Sequence, residues 1–380
     1  EDNVASLGAG GVQLSSGCIG KLYGVRLERN LAENGNGGGV ECIGAQLFHL
    51  RDSSIRSNEA RMGYGGGIST TGTEELLLET TKSLKCCEIS GAGLHCTSEQ
   101  AGCQPTVIQN NTALTSSGGG LYASSTKVLV RGVPADVDPE TGRVVESSNK
   151  AMRHHVAVVR NNAQVGGGFF LTGSSTASLD KAWIKSNKAK YDGGGIAIEK
   201  SSIDMLNSHV QGNTATSRGG GVYLGRLTEA TVNRSNVMHN WVEGNGGGLF
   251  VGLRAKLHLA ESLLSHNKGQ GDGGGIYVVD TSVLIEDTSF THNGLETGQG
   301  AGLCGSGAAS IVCRHCGFKG NAIMRGGRGG AVALSGTSGM LLLSGSLEEN
   351  RADIGGAVFL KDTAMPKPTI IQIFQNELNT

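Results

Sequence analysis

Hydrophobic and polar positions along the chain repeat in one rhythm, with a spacing of 26 to 28 residues. Each period contains a glycine cluster that ends on a hydrophobic residue, an alternating stretch, and then an asparagine with a hydrophobic residue three positions before it. The glycine mark begins at Gly10-Gly11-Val12 and recurs as GGGV at Gly37, GGGI at Gly65, GAGL at Gly91 and GGGL at Gly118. It continues as GGGF at Gly166, GGGI at Gly193, GGGV at Gly219, GGGL at Gly246, GGGI at Gly273 and GAGL at Gly300, then as GGAV at Gly329 and Gly355. The asparagine mark reads Leu27/Asn30, Ile55/Asn58, Val107/Asn110, Val158/Asn161, Ile184/Asn187, Val210/Asn213 and Val237/Asn240. It goes on through Leu264/Asn267, Phe290/Asn293, Phe318/Asn321, Leu347/Asn350 and Ile373/Asn376. Between the marks, stretches such as Gly275-Ile276-Tyr277-Val278 and Val283-Leu284-Ile285 alternate with the period of a strand that turns one face inward.

This pattern predicts an all-β solenoid, a single-stranded parallel β-helix of about 13 rungs with three short strands per rung. A unit this small cannot bury its own apolar face, so neighbouring rungs must stack their inward Ile, Val, Leu and Phe into one core. With strands 4.8 Å apart, thirteen marks imply a rod roughly 60 Å long. Glycine at a corner admits positive φ and lets successive backbones lie almost on top of each other. Asparagine at an inward corner can pass amide hydrogen bonds from rung to rung, so Asn187, Asn213, Asn240, Asn267, Asn293 and Asn321 are expected to form a ladder.

The rhythm breaks twice. No glycine triplet lies between Gly120 and Gly168, and the segment 131–153, with Val-Pro-Ala-Asp-Val-Asp-Pro-Glu-Thr-Gly, reads as an inserted loop. The Gly91 repeat has no clear asparagine before it and carries a group of cysteines instead.

Composition narrows the function. Of 380 residues 63 are glycine and only 5 proline, without a collagen period, so the glycines serve corners. A formal net charge of −1 with scattered basic residues offers no footprint for nucleic acid or an anionic membrane. No apolar run approaches 18 residues, which argues against a membrane-spanning helix. The chain opens Glu-Asp-Asn without methionine, as expected of a fragment of a larger chain.

The paired marks resemble the repeats of the polymorphic outer membrane protein type, which belong to right-handed β-helix folds similar to pectin lyase. The resemblance spans nearly the whole chain. It implies a right-handed helix of the kind found in surface adhesins and in large extracellular proteins of algae and protists.

Several residues invite chemistry. His239, His266 and His292 each precede a ladder asparagine in successive rungs and should stack outward. Such a column could share a divalent metal or make stability pH-sensitive, while Ser57, Gln109 and Arg160 at the same place point to a merely solvated position. Nine cysteines invite disulfides in an oxidising compartment: Cys18 with Cys42, pairs among Cys86, Cys87, Cys96 and Cys103, and bridges among Cys304, Cys313 and Cys316. Cys313-Arg-His-Cys316 also has zinc-knuckle spacing. Asp136, Asp138 and Glu140 could offer oxygen ligands to calcium, or simply solvate the loop. Asn110 and Asn233 head glycosylation sequons; Asn110, as a ladder residue, would be buried, so Asn233 is the better acceptor. Asp192 and Asp272 occupy equivalent places before their triplets, about 14 Å apart, too far for an acid/base pair. Tyr122, Phe170, Tyr223, Phe250 and Tyr277 should form an outward stripe that either shields backbone or binds sugar.

The expectation is one β-helix domain over 1–380, without catalytic residues or cofactor. It would be a non-enzymatic structural rod at a cell surface, wall or appendage, acting by self-association or adhesion. Its partners would be itself, flanking parts of a larger chain, or cell-surface glycans, with neither nucleic acid nor a direct membrane span. The alternative is a carbohydrate-binding or polysaccharide-degrading β-helix.

Overall fold

The computed structural model describes residues 1–80, 87–90, 93–96, 106–132, 155–361 and 370–374. Among them the chain winds as a right-handed parallel solenoid of about eleven turns, with four parallel sheets running along its length and no helix. The first sheet collects the 12 strands that follow the glycine marks, from Val12–Leu14 to Val358–Lys361. The second, also of 12, runs from Ile19–Tyr23 to Ile370–Phe374. The third, of 11, spans Arg26–Glu28 to Ser346–Glu348, and the fourth, of 11, Val4–Ala5 to Ala322–Ile323. Register follows the repeat residue for residue, as in Ile276 opposite Leu303 and Tyr277 opposite Cys304.

Alternation fills the interior. In Lys256–Ala260, Leu257 and Leu259 are buried while Lys256 is exposed, and one apolar cluster extends from Val40 to Leu342. Phe290 and Phe318 stack within it at 4.6 Å and 8°.

Three expectations are corrected. Each full rung carries four strands, not three. The fourth is only two residues long and directly follows the asparagine, too short to show alternation, yet its inward residue forms a column through Ala32, Ala60, Ala113, Ala163, Ala189 and Ala215.

The Gly91 mark is not a rung. Ile68 pairs directly with Leu121, and Thr106 N–H donates to Thr80 Oγ1 at 2.9 Å, so the chain leaves the solenoid after residue 80 and returns beside its point of exit. Cys87–Ser90 and Gly93–Cys96 pair antiparallel instead, a hairpin that cannot stack as a rung. One mark fewer than thirteen remains, in line with the 12-stranded sheets. The second excursion begins later than expected, because Arg131 still pairs with Asp180; Val156 re-enters the third sheet. Both excursions interrupt the same corner, between the second and third sheets, on consecutive rungs.

The third correction concerns Asn110. It is exposed with φ +55°, and the ladder residue is Asn111, fully buried, with Ile108 as its inward partner. The position before each ladder asparagine is left-handed throughout, as at Arg29, Ser57, Arg160, Ser186 and His239. Asparagine tolerates that conformation well, so both Asn110 and Asn111 fit the corner pattern and only burial distinguishes them.

Candidate functional site

The most regular constellation in the molecule is the asparagine column. It runs Asn3, Asn30, Asn58, Asn111, Asn161, Asn187, Asn213, Asn240, Asn267, Asn293, Asn321 and Asn350, each Nδ2 donating to the next Oδ1 at 2.9 to 3.0 Å. Asn240 shows the full bonding pattern. Its Nδ2 donates to Asn267 Oδ1 and to the Val210 carbonyl, both at 3.0 Å. Its Oδ1 accepts from the Asn213 N–H at 2.9 Å and from Asn213 Nδ2 at 3.0 Å. All four bonding capacities of a buried amide are met. Asn376 lies outside the described residues.

The glycine mark and the asparagine mark prove to be one device. At Gly220 a Cβ would lie 2.5 Å from the Gly247 carbonyl oxygen and 2.6 Å from that of Trp241, so the next rung's backbone fills the space. At Gly221 it would lie 2.9 Å from Asn240 Nδ2, where the ladder amide itself packs.

A second polar column, unread in the sequence, lines the corner before the third sheet. Ser208 N–H donates to Ser235 Oγ, Ser235 N–H to Ser262 Oγ, both at 3.1 Å, and Ser262 N–H to Thr288 Oγ1 at 3.4 Å. Each hydroxyl turns back to the carbonyl two residues earlier. The signal was a Ser or Thr five residues before the ladder asparagines Asn58, Asn111, Asn213, Asn240, Asn267 and Asn293.

Cys316 occupies the next place in that column, with Sγ 3.7 Å from the carbonyls of Ile285 and Arg314. Cys313 points into the core between Ile285 and Leu342. The zinc-knuckle and disulfide expectations are therefore corrected for these residues: Cys18, Cys42, Cys304, Cys313 and Cys316 are free thiols. Cys18 is exposed at a turn whereas Cys42 faces the core, where burial pushes its thiol up to about 12. Burial likewise holds Cys304 and Cys313 well above the usual thiol range. In Cys86, Cys87, Cys96 and Cys103 the side chains lie outside the described residues, as do Asp136, Asp138 and Glu140.

His239, His266 and His292 stack as expected, with ring centroids 4.9 and 5.2 Å apart and planes 26° and 14° from parallel. Parallel rings aim their in-plane lone pairs side by side rather than at a common point. Among the described residues no group of three His, Cys, Asp or Glu is arranged to hold a metal.

The outward stripe on the first sheet forms two stacks. Tyr64, from the turn before the strand Ile68–Thr71, joins Tyr122 and Phe170 at 4.3 and 5.8 Å, and Tyr223, Phe250 and Tyr277 are joined at 5.5 and 5.4 Å, with Ala197 between the stacks. Tyr223 and Phe250 are 5% exposed. Ring faces are consumed by neighbouring rings, and edges remain. Beside this stripe runs the column Asp192, Arg218, Asn245, Asp272 and Gln299. Arg218 grips Asp192 through two bonds of 2.9 and 2.8 Å and lies 4.6 Å over the Tyr223 ring. Burial raises the Asp272 carboxyl, whose Oδ1 accepts the Gln299 N–H at 2.8 Å. The rungs between the two aspartates hold Arg218 and Asn245, so the carboxylates brace the stripe separately.

The sequon residues are also relocated. Asn110 stands exposed and its neighbour Asn111 is the buried one, reversing the expected order of acceptors. Asn233 ends the strand Glu229–Asn233 with its Oδ1 buried, and Ser235 of the same sequon is 1% exposed.

Two family models match parts of the chain. Residues 167–347 match the family described as right handed beta helix region, and residues 105–124 match the Chlamydia polymorphic membrane protein repeat. A solved structure described as a periplasmic alginate epimerase is similar at 13% identity and a TM-score of 0.39, over 94% of this chain and 79% of that one. No curated protein matches. The chain is a right-handed parallel β-helix, with a match to the polymorphic membrane protein repeat at residues 105–124.

Proposed function

We propose that this chain is a structural rod at a cell exterior, a length of a larger surface or appendage protein that acts by stacking and adhesion rather than by catalysis. The observation that carries this reading is the amide ladder from Asn3 to Asn350, unbroken across both excursions. A ladder this continuous ties each rung to the rung on either side at the asparagine corner, as a rod that carries load would need. The polymorphic membrane protein repeat supports an outer-surface setting.

Electron microscopy of the native surface material, with the chain located by antibody, tests the reading. Labelled rods or fibres are expected. Labelling confined to discrete soluble particles that depolymerise a polysaccharide would overturn it.

A second reading, glycan binding along the first sheet, draws on Tyr64, which is 42% exposed and stacked on Tyr122. Binding on a glycan array that is lost in Tyr64→Ala would favour it.

A further inference from the structure

We propose that the His239, His266 and His292 column is an acid-responsive section of the rod, tight while the imidazoles are neutral and loosened when protonation charges three successive rungs at one corner. A parallel solenoid repeats each position at strand spacing, so like side chains cannot diverge as they can across an antiparallel pair. The centroid separations of 4.9 and 5.2 Å express that constraint.

The backbone adds to it. All three residues are left-handed, with φ of +55°, +54° and +53°, and each is followed at once by a ladder asparagine. Swinging a ring away by moving its backbone therefore pulls on Asn240, Asn267 or Asn293. At the far end, a Cβ at Gly320 would lie 3.0 Å from the His292 ring, so that ring spreads over the glycine of the next rung.

Charges around the corner do not offset the column. Lys268, on the adjoining fourth-sheet strand Lys268–Gly269, adds to the positive field at His266. Lys319, on the third-sheet strand Gly317–Lys319, is engaged by Glu348 at 3.1 Å and Glu349 at 3.5 Å. His258 meets Glu286 at 2.9 Å, but among the described residues none of the three column histidines makes such a pair.

Burial first, then His239, His292 and Lys268, hold His266 below the usual imidazole range. The folded chain therefore binds this proton less readily than the unfolded chain. Stability is complete above the unfolded value of about 6.5 and declines as pH falls through the lower folded value.

The test is a proton NMR titration of His266 in the intact chain and in the double variant His239→Asn/His292→Asn. Asparagine suits the left-handed backbone, as Asn110 shows at the same position. The His266 midpoint should rise in the double variant, though not to the free value, since burial remains. In parallel, wild type should lose more melting temperature between pH 7.5 and 5.5 than the triple variant His239→Asn/His266→Asn/His292→Asn. An unchanged His266 midpoint, or equal losses of melting temperature, overturns the proposal.

Discussion

Replacing Asn240 by leucine separates the contribution of the ladder from that of the apolar core. Leucine has nearly the same size but can make none of the four bonds of the Asn240 amide. Their partners do not suffer equally. Asn267 Oδ1 keeps the Asn240 N–H at 3.1 Å, and Asn213 Nδ2 keeps the Ile184 carbonyl at 3.0 Å. The Asn213 N–H, which points at Asn240 Oδ1, is left in a buried corner without an acceptor. One orphaned donor at about 1–3 kcal/mol, plus smaller losses at the half-satisfied groups, gives a destabilisation of about 3–5 kcal/mol. With an unfolding entropy near 2.1 cal/mol/K per residue, this corresponds to a fall in melting temperature of about 4–6 °C. Calorimetry at pH 7.5 measures it. A melting temperature within about 1 °C of wild type would mean that packing alone holds the rungs in register, and the reasoning would fail.

Other outcomes follow from single positions. Gly220→Ala drives a Cβ into two backbone carbonyls and should abolish soluble folding, whereas Gly24→Ala meets no atom within 4 Å and costs about 1–2 kcal/mol for its φ of +64°, as urea denaturation would show. Cys316→Ser places a hydroxyl in the serine column and should leave the urea midpoint unchanged or raised, whereas Cys313→Ser in the core should lower it. In the native protein an aromatic disulfide reagent should label Cys18 at once and reach Cys42, Cys304, Cys313 and Cys316 only in denaturant, as absorbance would record. Secretion through a glycosylating host should add mass at Asn110 in preference to Asn233, as peptide mass spectrometry would show.

Much of the fold was legible because a solenoid writes its contacts as a period. The residue that bonds to Asn240 lies one repeat away, at Asn213 or Asn267, so recurrence in sequence is contact in space. Where local chemistry was degenerate the sequence misled. Asn110 and Asn111 both suit a corner, and only the identity of the inward residue, Ile108 rather than Val107, separates them. Gly91-Ala-Gly-Leu has the letters of a rung corner, but Gly93 and Leu94 belong to an antiparallel strand pair instead. The fourth strand was too short to alternate, although the alanine two places after the asparagine marked it. Cysteine was judged by its reactivity, whereas at Cys313 and Cys316 it fills a core position and a hydroxyl position. The surface columns were placed correctly by register, but side-chain identity alone did not show that the aromatic rings spend their faces on one another.

A rod held in register by its amide ladder is tested most directly by small-angle X-ray scattering of the purified chain. The prediction is an elongated particle with a long axis of roughly 60 Å per chain and a constant cross-section, lengthening along that axis alone if copies stack. A compact, nearly isometric particle, or association that thickens the cross-section while leaving the length unchanged, would contradict it.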